Sequence, residues 1–126
     1  MKKIFTEISV GEIIDKLTIL EIKKKKINSK KYSTQIKKEH EILKKSLKKN
    51  LKINNKIKKL WKELYKVNSN IWDMENLKRE RQKILEEIVI VARYVYKYND
   101  QRASIKSKIN KITKSNVNEV KKYSNY

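Results

Sequence analysis

A chain of 126 residues with no proline and a single glycine, Gly11, has almost nothing with which to interrupt a helix. Proline is the residue that breaks an α-helix outright, and glycine supplies the positive-φ turns that β-hairpins need. The near-absence of both predicts an all-α fold, an antiparallel bundle of three to four long helices. The length allows one core and one domain, residues 1–126. Without cysteine there are no disulfides, no thiolate catalysis and no cysteine-ligated zinc.

Helical periodicity is clearest over residues 84–112. Ile84, Ile88, Val91, Val95, Tyr98, Arg102, Ile105, Ile109 and Ile112 recur at alternating spacings of four and three, the seam of a helix packed lengthwise against others. One member of that seam is charged. At 100° per residue, Asn99 and Lys106 stand on the shoulder of the face that Arg102 occupies. A guanidinium withdrawn from water needs a carboxylate or a bound anion, so the seam predicts a buried polar cluster around Arg102.

The rest of the chain supplies partners. Ser9 and Glu12 form a capping box, and Ile8 and Ile13 stand at the positions of a hydrophobic staple, so a first helix is expected over residues 10–27 after an extended lead-in, 1–9, with Ile4, Phe5 and Ile8 available to pack. Its main stripe is Ile13, Ile14, Leu17, Leu20 and Glu21. Ile19 and Ile22 lie on nearly the opposite side with Asp15, and a helix apolar on two sides is sandwiched or used in an oligomer contact. A second helical stretch, 34–81, starts at a Ser33 or Thr34 cap, carries His40 in an apolar stripe, and shifts phase near Asn54, where a kink or short break is expected. Asn68 and Glu75 lie near its stripe, and Trp61 flanks it. The chain should reverse at 78–83, giving a third helix, 85–113; no glycine or proline marks a turn there, so one uninterrupted helix of roughly 60 residues, which would need an oligomer to bury it, is the alternative. Antiparallel pairing then sets Asn68 opposite Asn99 and brings Arg102 near Trp61. Asn116 and Glu119 suggest a short helix within the tail, 114–126.

The cluster predicted from this pattern is Arg102, Asn99, Lys106, Glu21, Glu75 and Asn68, with Glu21 or Glu75 neutralising the guanidinium. Two uses fit those residues. The first is an internal ion pair that locks the bundle, and the second is a site for a small anionic ligand, with a glutamate available as acid or base. The second would be similar to the arginine-, lysine- and carboxylate-lined sites of helical chorismate mutases, an analogy of chemistry without an alignable motif. Other chemistries lack their residues. Gly11 alone cannot form a phosphate loop, the lone histidine sits among leucines, and Glu12 with Asp15 does not repeat as helical magnesium pyrophosphatases require. No metal and no cofactor is expected.

The charge, +20 from 34 basic and 14 acidic residues, has two explanations. It is the footprint of a polyanion binder, with Lys37, Lys38, Lys44, Lys45, Lys48 and Lys49 as a candidate nucleic-acid face. It is also what AT-rich codons produce: 30 lysines, 12 asparagines and 18 isoleucines make up 60 of the 126 residues, and only four of the basic residues are arginine. Arginine is the better residue for bidentate phosphate and base contacts, so nucleic-acid binding is not the favoured reading. No membrane span or signal segment is visible, and a cytoplasmic location is expected.

The blocks SVGEIIDKLTILEIK (9–23), IWDME (71–75) and ARYVYKYNDQRASIK (92–106), together with the ending SNVNEVKKYSNY, resemble a small bacterial family of unknown function. The resemblance covers most of the chain, is weakest over 28–59, and implies a shared fold without supplying a mechanism. Taken together, the sequence predicts a non-catalytic binding or interaction module, a homodimer or partner of another protein, with a polar site around Arg102. Alternatives are a helical enzyme acting on a small anionic metabolite, a phosphosugar or chorismate-like carboxylate, and a non-specific nucleic-acid binder.

Overall fold

The computed structural model describes residues 2–80 and 85–120. Four helices account for most of them: α1 (Val10–Lys26), α2 (Lys30–Asn50), α3 (Asn55–Glu80) and α4 (Leu85–Thr113). The fold is an all-α bundle, with no strand among the described residues. The stretch expected as one helix from 34 is two. Helix α2 starts earlier because nothing in Lys30–Ser33 opposes a helix, and the Ser33 N–H already donates to the Ser29 carbonyl. Leu51 is extended, and α3 starts afresh when the Asn54 side chain accepts from the Ile57 N–H at 2.9 Å. Of the kink or short break expected near Asn54, the structure has the short break, residues 51–54, and Asn54 caps the helix that follows it.

Helices α3 and α4 run antiparallel. Lys56 and Leu60, early in α3, share a shallow groove with Lys108 and Ile112, late in α4, while Asn68, midway along α3, and Arg102 of α4 meet at the same Asp15 carboxylate. That pairing excludes one uninterrupted helix. The reversal expected at 78–83 falls largely on residues 81–84, outside the described residues. Helix α1 lies over the pair, touching α4 from Asp15 to Arg102 and α3 from Glu21 to Trp61, and α2 packs on α1. Ile14, Leu17, Ile57, Leu64 and Ile109 form the driest part of the core.

Both sides of α1 are therefore covered. Ile13, Ile14, Leu17 and Leu20 are buried on one side and Asp15, Thr18 and Ile22 on the other. The amino end of α1 is clamped by the carboxyl end of α4. Val10 N–H donates to Ser115 Oγ (3.0 Å), Gly11 N–H to Asn110 Oδ1 (2.6 Å) and Glu12 N–H to Ser9 Oγ (3.1 Å), which satisfies donors that a helix start leaves open. Lys114, at φ 54°, takes the left-handed turn that ends α4, and Ser115 N–H then reaches back to the Asn110 carbonyl at 2.9 Å.

Several local expectations are corrected. The α4 seam holds at Val91, Ile105 and Ile109, but Ile88 and Ile112 are more than 40% exposed, and Ile84 lies outside the described residues. Ile4 and Phe5 do not pack; they are 93% and 89% exposed. Residues 116–120 are not helical, because Asn116 is drawn across to Glu7 (2.9 Å) and Glu119 to Lys106 (3.2 Å) instead of capping a turn. The remainder of the tail, 121–126, lies outside the described residues.

Candidate functional site

Arg102 is engaged by a residue of α1. Its Nε donates to Asp15 Oδ1 at 2.9 Å, and its Nη2 donates to Asp15 Oδ2, the two-pronged geometry that makes arginine and carboxylate the strongest of side-chain pairs. Asp15 is fully buried, whereas the Arg102 side chain retains 27% of its exposure. Asn68 of α3 completes the knot, with Nδ2 donating to Asp15 Oδ1 and to Thr18 Oγ1, each at 2.8 Å, and Thr18 Oγ1 donates to the Asp15 carbonyl at 2.7 Å. One carboxylate thus ties three helices together.

Lys106, one turn further along α4, forms the other half of the cluster. Its Nζ donates to Glu12 Oε2 at 2.6 Å and to Glu119 Oε2 at 3.2 Å, and lies 3.8 Å from Asp15 Oδ2. Glu12 consequently does not close the capping box with Ser9; the lysine takes its carboxylate. Close approach of the two helices here depends on Gly11. A β-carbon at that position would lie 2.6 Å from the Lys106 carbonyl oxygen and 2.7 Å from Asn110 Oδ1, so no larger residue fits without a shift.

The electrostatics follow from burial and pairing. Burial alone would push the Asp15 carboxyl up, but the hydrogen bonds from Arg102 and Asn68 and the charges of Arg102 and Lys106 outweigh it and hold the group below its ordinary value. Lys106 is pushed down by burial and up, more strongly, by Glu12, Asp15 and Glu119, and ends above its ordinary value. The Asp15 hydrogen bonds raise Arg102 further still. All three groups stay ionised at neutral pH, which suits a lock. Asp15, buried with both oxygens occupied, is poorly placed to act as a general acid or base.

Of the residues the sequence singled out, the structure brings Arg102, Asn68 and Lys106 together and leaves three apart. Glu21 does not reach Arg102. Six residues beyond Asp15 on α1, it faces away, accepting from Trp61 Nε1 at 3.3 Å and approaching His40 Nε2 at 3.9 Å. That distance has ion-pair geometry, yet burial pushes Glu21 up, against the pull of Trp61 and nearby lysines, and burial with Lys24 and Lys44 pushes His40 down. Because burial favours the neutral imidazole, the contact is not a salt bridge at pH 7. Glu75 pairs with Lys78 at 3.6 Å instead of neutralising Arg102. Asn99 is half-buried and makes none of the cluster's hydrogen bonds, so the facing-asparagine pairing does not form. Trp61, engaged by Glu21, is not the partner of Arg102 either.

Asp15 is the residue that sequence reasoning missed as the counter-ion. The signal was present: it shares a stripe with Thr18, Ile19 and Ile22, and a helix apolar on both sides buries whatever lies on the second side as surely as on the first.

Beside the knot lies a groove of about 270 Å³ between α1, α3 and α4. Arg102 and Asn68 line it together with Ile19 and Ile22 of α1 and Trp72, Glu75, Asn76 and Arg79 of α3. Arg79 is exposed and has no carboxylate partner among the described residues. A second hollow, of about 260 Å³, flanks Lys106, whose ammonium Glu12 and Glu119 already occupy. Among the described residues no group of three or more His, Asp or Glu side chains is arranged to hold a metal ion, and no helix is long and apolar enough to cross a membrane.

No curated protein and no solved structure matches the chain. A family model does match, over residues 3–126, and the protein therefore belongs to the family described as "Family of unknown function (DUF6165)".

Proposed function

We propose that this protein is a non-catalytic helical binding module whose ligand is a small anion, a carboxylate or phosphate ester with an apolar or planar portion, seated in the groove between α1, α3 and α4. The observation that carries this reading is the state of Arg102. Asp15 takes its Nε and Nη2 from behind and fixes the guanidinium, while the side chain stays partly exposed along the groove, where Nη1 is the nitrogen a ligand would meet. A fixed guanidinium binds an anion without further loss of side-chain freedom. Arg79 adds a second cation, Trp72 a face for stacking, and Ile19 and Ile22 an apolar wall. The groove is small, which restricts the ligand to metabolite size.

The test is thermal unfolding against a panel of phosphosugars, nucleotides and aromatic or aliphatic carboxylates. A ligand at about 100 times its dissociation constant stabilises the folded state by about 2.7 kcal/mol, which raises the melting temperature by several degrees in a chain of this size. Arg79→Ala should abolish the shift while leaving the unliganded melting temperature nearly unchanged, since Arg79 is exposed and outside the knot; Trp72→Ala should abolish it too, from a lower starting melting temperature because Trp72 is half-buried. No shift with any anion, or a shift that Arg79→Ala leaves intact, counts against the groove. Glu75 is the one carboxylate lining it among the described residues, so a panel compound that is consumed instead of retained would favour the enzymatic alternative, with Glu75→Gln as the variant that stops turnover.

A further inference from the structure

Past the crossing of α1, the later part of α3 and the first half of α4 continue as a two-helix arm with little to bury them. Among residues 69–79 and 86–98, Val91 is the one fully buried side chain. On α4, Ile88, Val89, Ile90 and Tyr94 are 44–54% exposed. At 100° per residue these four are spread around the helix, not gathered on the side that meets α3. A surface helix is expected to be apolar on one face; one that is apolar on several is covered by something else.

We propose that the occupant is a second copy of this chain, whose own α3–α4 arm packs against the first about a two-fold axis and closes a four-helix bundle. Charge favours a copy of itself at this place and opposes it elsewhere. Residues 69–79 and 86–98 hold four basic and four acidic side chains, so the net charge of the described part of the arm is zero and the +20 lies elsewhere in the chain. Two chains meeting through α2 would press lysines together, whereas two arms meet almost neutral. The surface area points the same way. The chain exposes 10213 Å², against about 7,100 Å² expected of a compact folded monomer of this mass. The extended lead-in accounts for part of the excess, and a stable dimer needs only about 800 Å² from each partner. Isologous pairing through one patch, here the flank that Val89, Ile90 and Tyr94 share, is the commonest way in which such a surface is closed.

The full chain should sediment, at high salt, with twice the 15.2 kDa mass of one copy. Ile88→Glu combined with Ile90→Glu should halve that mass while the helical circular-dichroism signal is kept, because both side chains are already about half exposed in the single chain. The absence of cysteine allows a second readout independent of folding energy. Single cysteines placed in turn at positions 88 to 94 should form inter-chain disulfides on oxidation with helical periodicity, and a Lys44→Cys control on α2 should not. A single-chain mass at every concentration overturns the proposal, as does a double mass that the Glu pair leaves unchanged. A monomer that instead co-sediments with phosphatidylserine vesicles, and loses that with the Glu pair, overturns it too, by giving the arm a membrane as its occupant. The arm is read by mass and by cross-linking on α4 and the groove by an anion-induced thermal shift, so a failure of either is seen in its own readout although both share the later part of α3.

Discussion

At the scale of residues, the molecule depends on one fully buried carboxylate shared by Arg102, Asn68 and Lys106. A buried ion pair adds little net stability over well-packed apolar groups, yet removing one partner leaves an uncompensated charge and costs about 3–5 kcal/mol. Asp15→Asn and Arg102→Ala should each fall near the lower end of that range in urea unfolding, because Arg102 retains some exposure to water. Asp15→Leu combined with Arg102→Met should recover most of the loss, which would show a lock instead of an irreplaceable site. The pH dependence follows from the lowered folded value of Asp15. A carboxyl depressed on folding contributes stability that is present above its unfolded pKa, about 3.9, and is lost as pH falls through the lower folded value. Acid should therefore destabilise the wild type from about pH 4 downward, and the slope there should be shallower in Asp15→Asn. Lys106 has the opposite sign: raised on folding, its contribution is present at neutral pH and is lost only as strong alkali passes the folded value. Arg102 was legible in the sequence because it is charged where the seam repeat calls for an aliphatic side chain, and Lys106 and Asn68 because each stands on the shoulder of an apolar stripe. Their counter-ion was harder to read. Asp15 belongs to the second stripe of α1, and ranking Glu21 above it assumed that one stripe faces the core, whereas α2, α3 and α4 together cover both.

At the scale of elements, the start of α1 could be read from Ser9 and Glu12 and the core half of α4 from the isoleucine repeat, while the α2–α3 boundary was marked by the phase shift near Asn54 alone. The linking sequence Lys-Asn-Leu-Lys-Ile-Asn-Asn holds no glycine or proline, and asparagine is tolerated inside a helix as well as at its start, so periodicity alone left a kink and a short break both open. What decides the break is tertiary: Leu43, Leu51 and Ile53 all pack against the main core, and a straight continuation could not place α2 on α1 and α3 under it. The place of Gly11 is also tertiary. Its backbone N–H meets Asn110 at 2.6 Å, and the β-carbon of any other residue would strike the Lys106 carbonyl, which is backbone and cannot rotate away. Gly11→Ala should therefore destabilise the protein by about 1–3 kcal/mol, the usual cost of overpacking, despite alanine's better helix propensity. In an exposed part of a helix the same substitution would stabilise, so the sign of the change in chemical unfolding tests whether α1 and α4 meet this closely. The clamp also explains why α4 ends as it does. A left-handed Lys114 presents Ser115 to the first N–H of α1, so the last turn of one helix caps the first turn of another.

At the scale of the whole molecule, the charge is the least legible feature, because composition and function leave the same trace. Residues 23–66 hold 18 lysines against three glutamates, and Lys37, Lys38, Lys44, Lys45, Lys48 and Lys49 of α2 are all exposed. A helix this positive will attract any polyanion, and the attraction is a counterion effect whose strength falls steeply with salt. Two observations separate that from a selected nucleic-acid face. The face is built of lysine, while three of the four arginines, the residues suited to reading bases and phosphates, lie on α4 or in the α3 half of the arm and groove, with Arg81 outside the described residues. Aromatic rings are also scarce there, with Tyr32 at the start of α2 the only one on that helix, so there is no stacking platform for bases. Duplex DNA should accordingly bind at low salt without sequence preference and with a logarithmic salt slope of about −5 if all six lysines engage phosphates. At physiological salt the dissociation constant should be no tighter than about 10⁻⁶ M, the range of non-specific binding. Replacing Lys44, Lys45, Lys48 and Lys49 by glutamine should flatten the slope by about three to four and leave both the dimer mass and the anion-induced thermal shift unchanged. Tighter, sequence-dependent retention at physiological salt would instead make α2 the functional face, and the groove beside Arg102 a secondary feature of the fold.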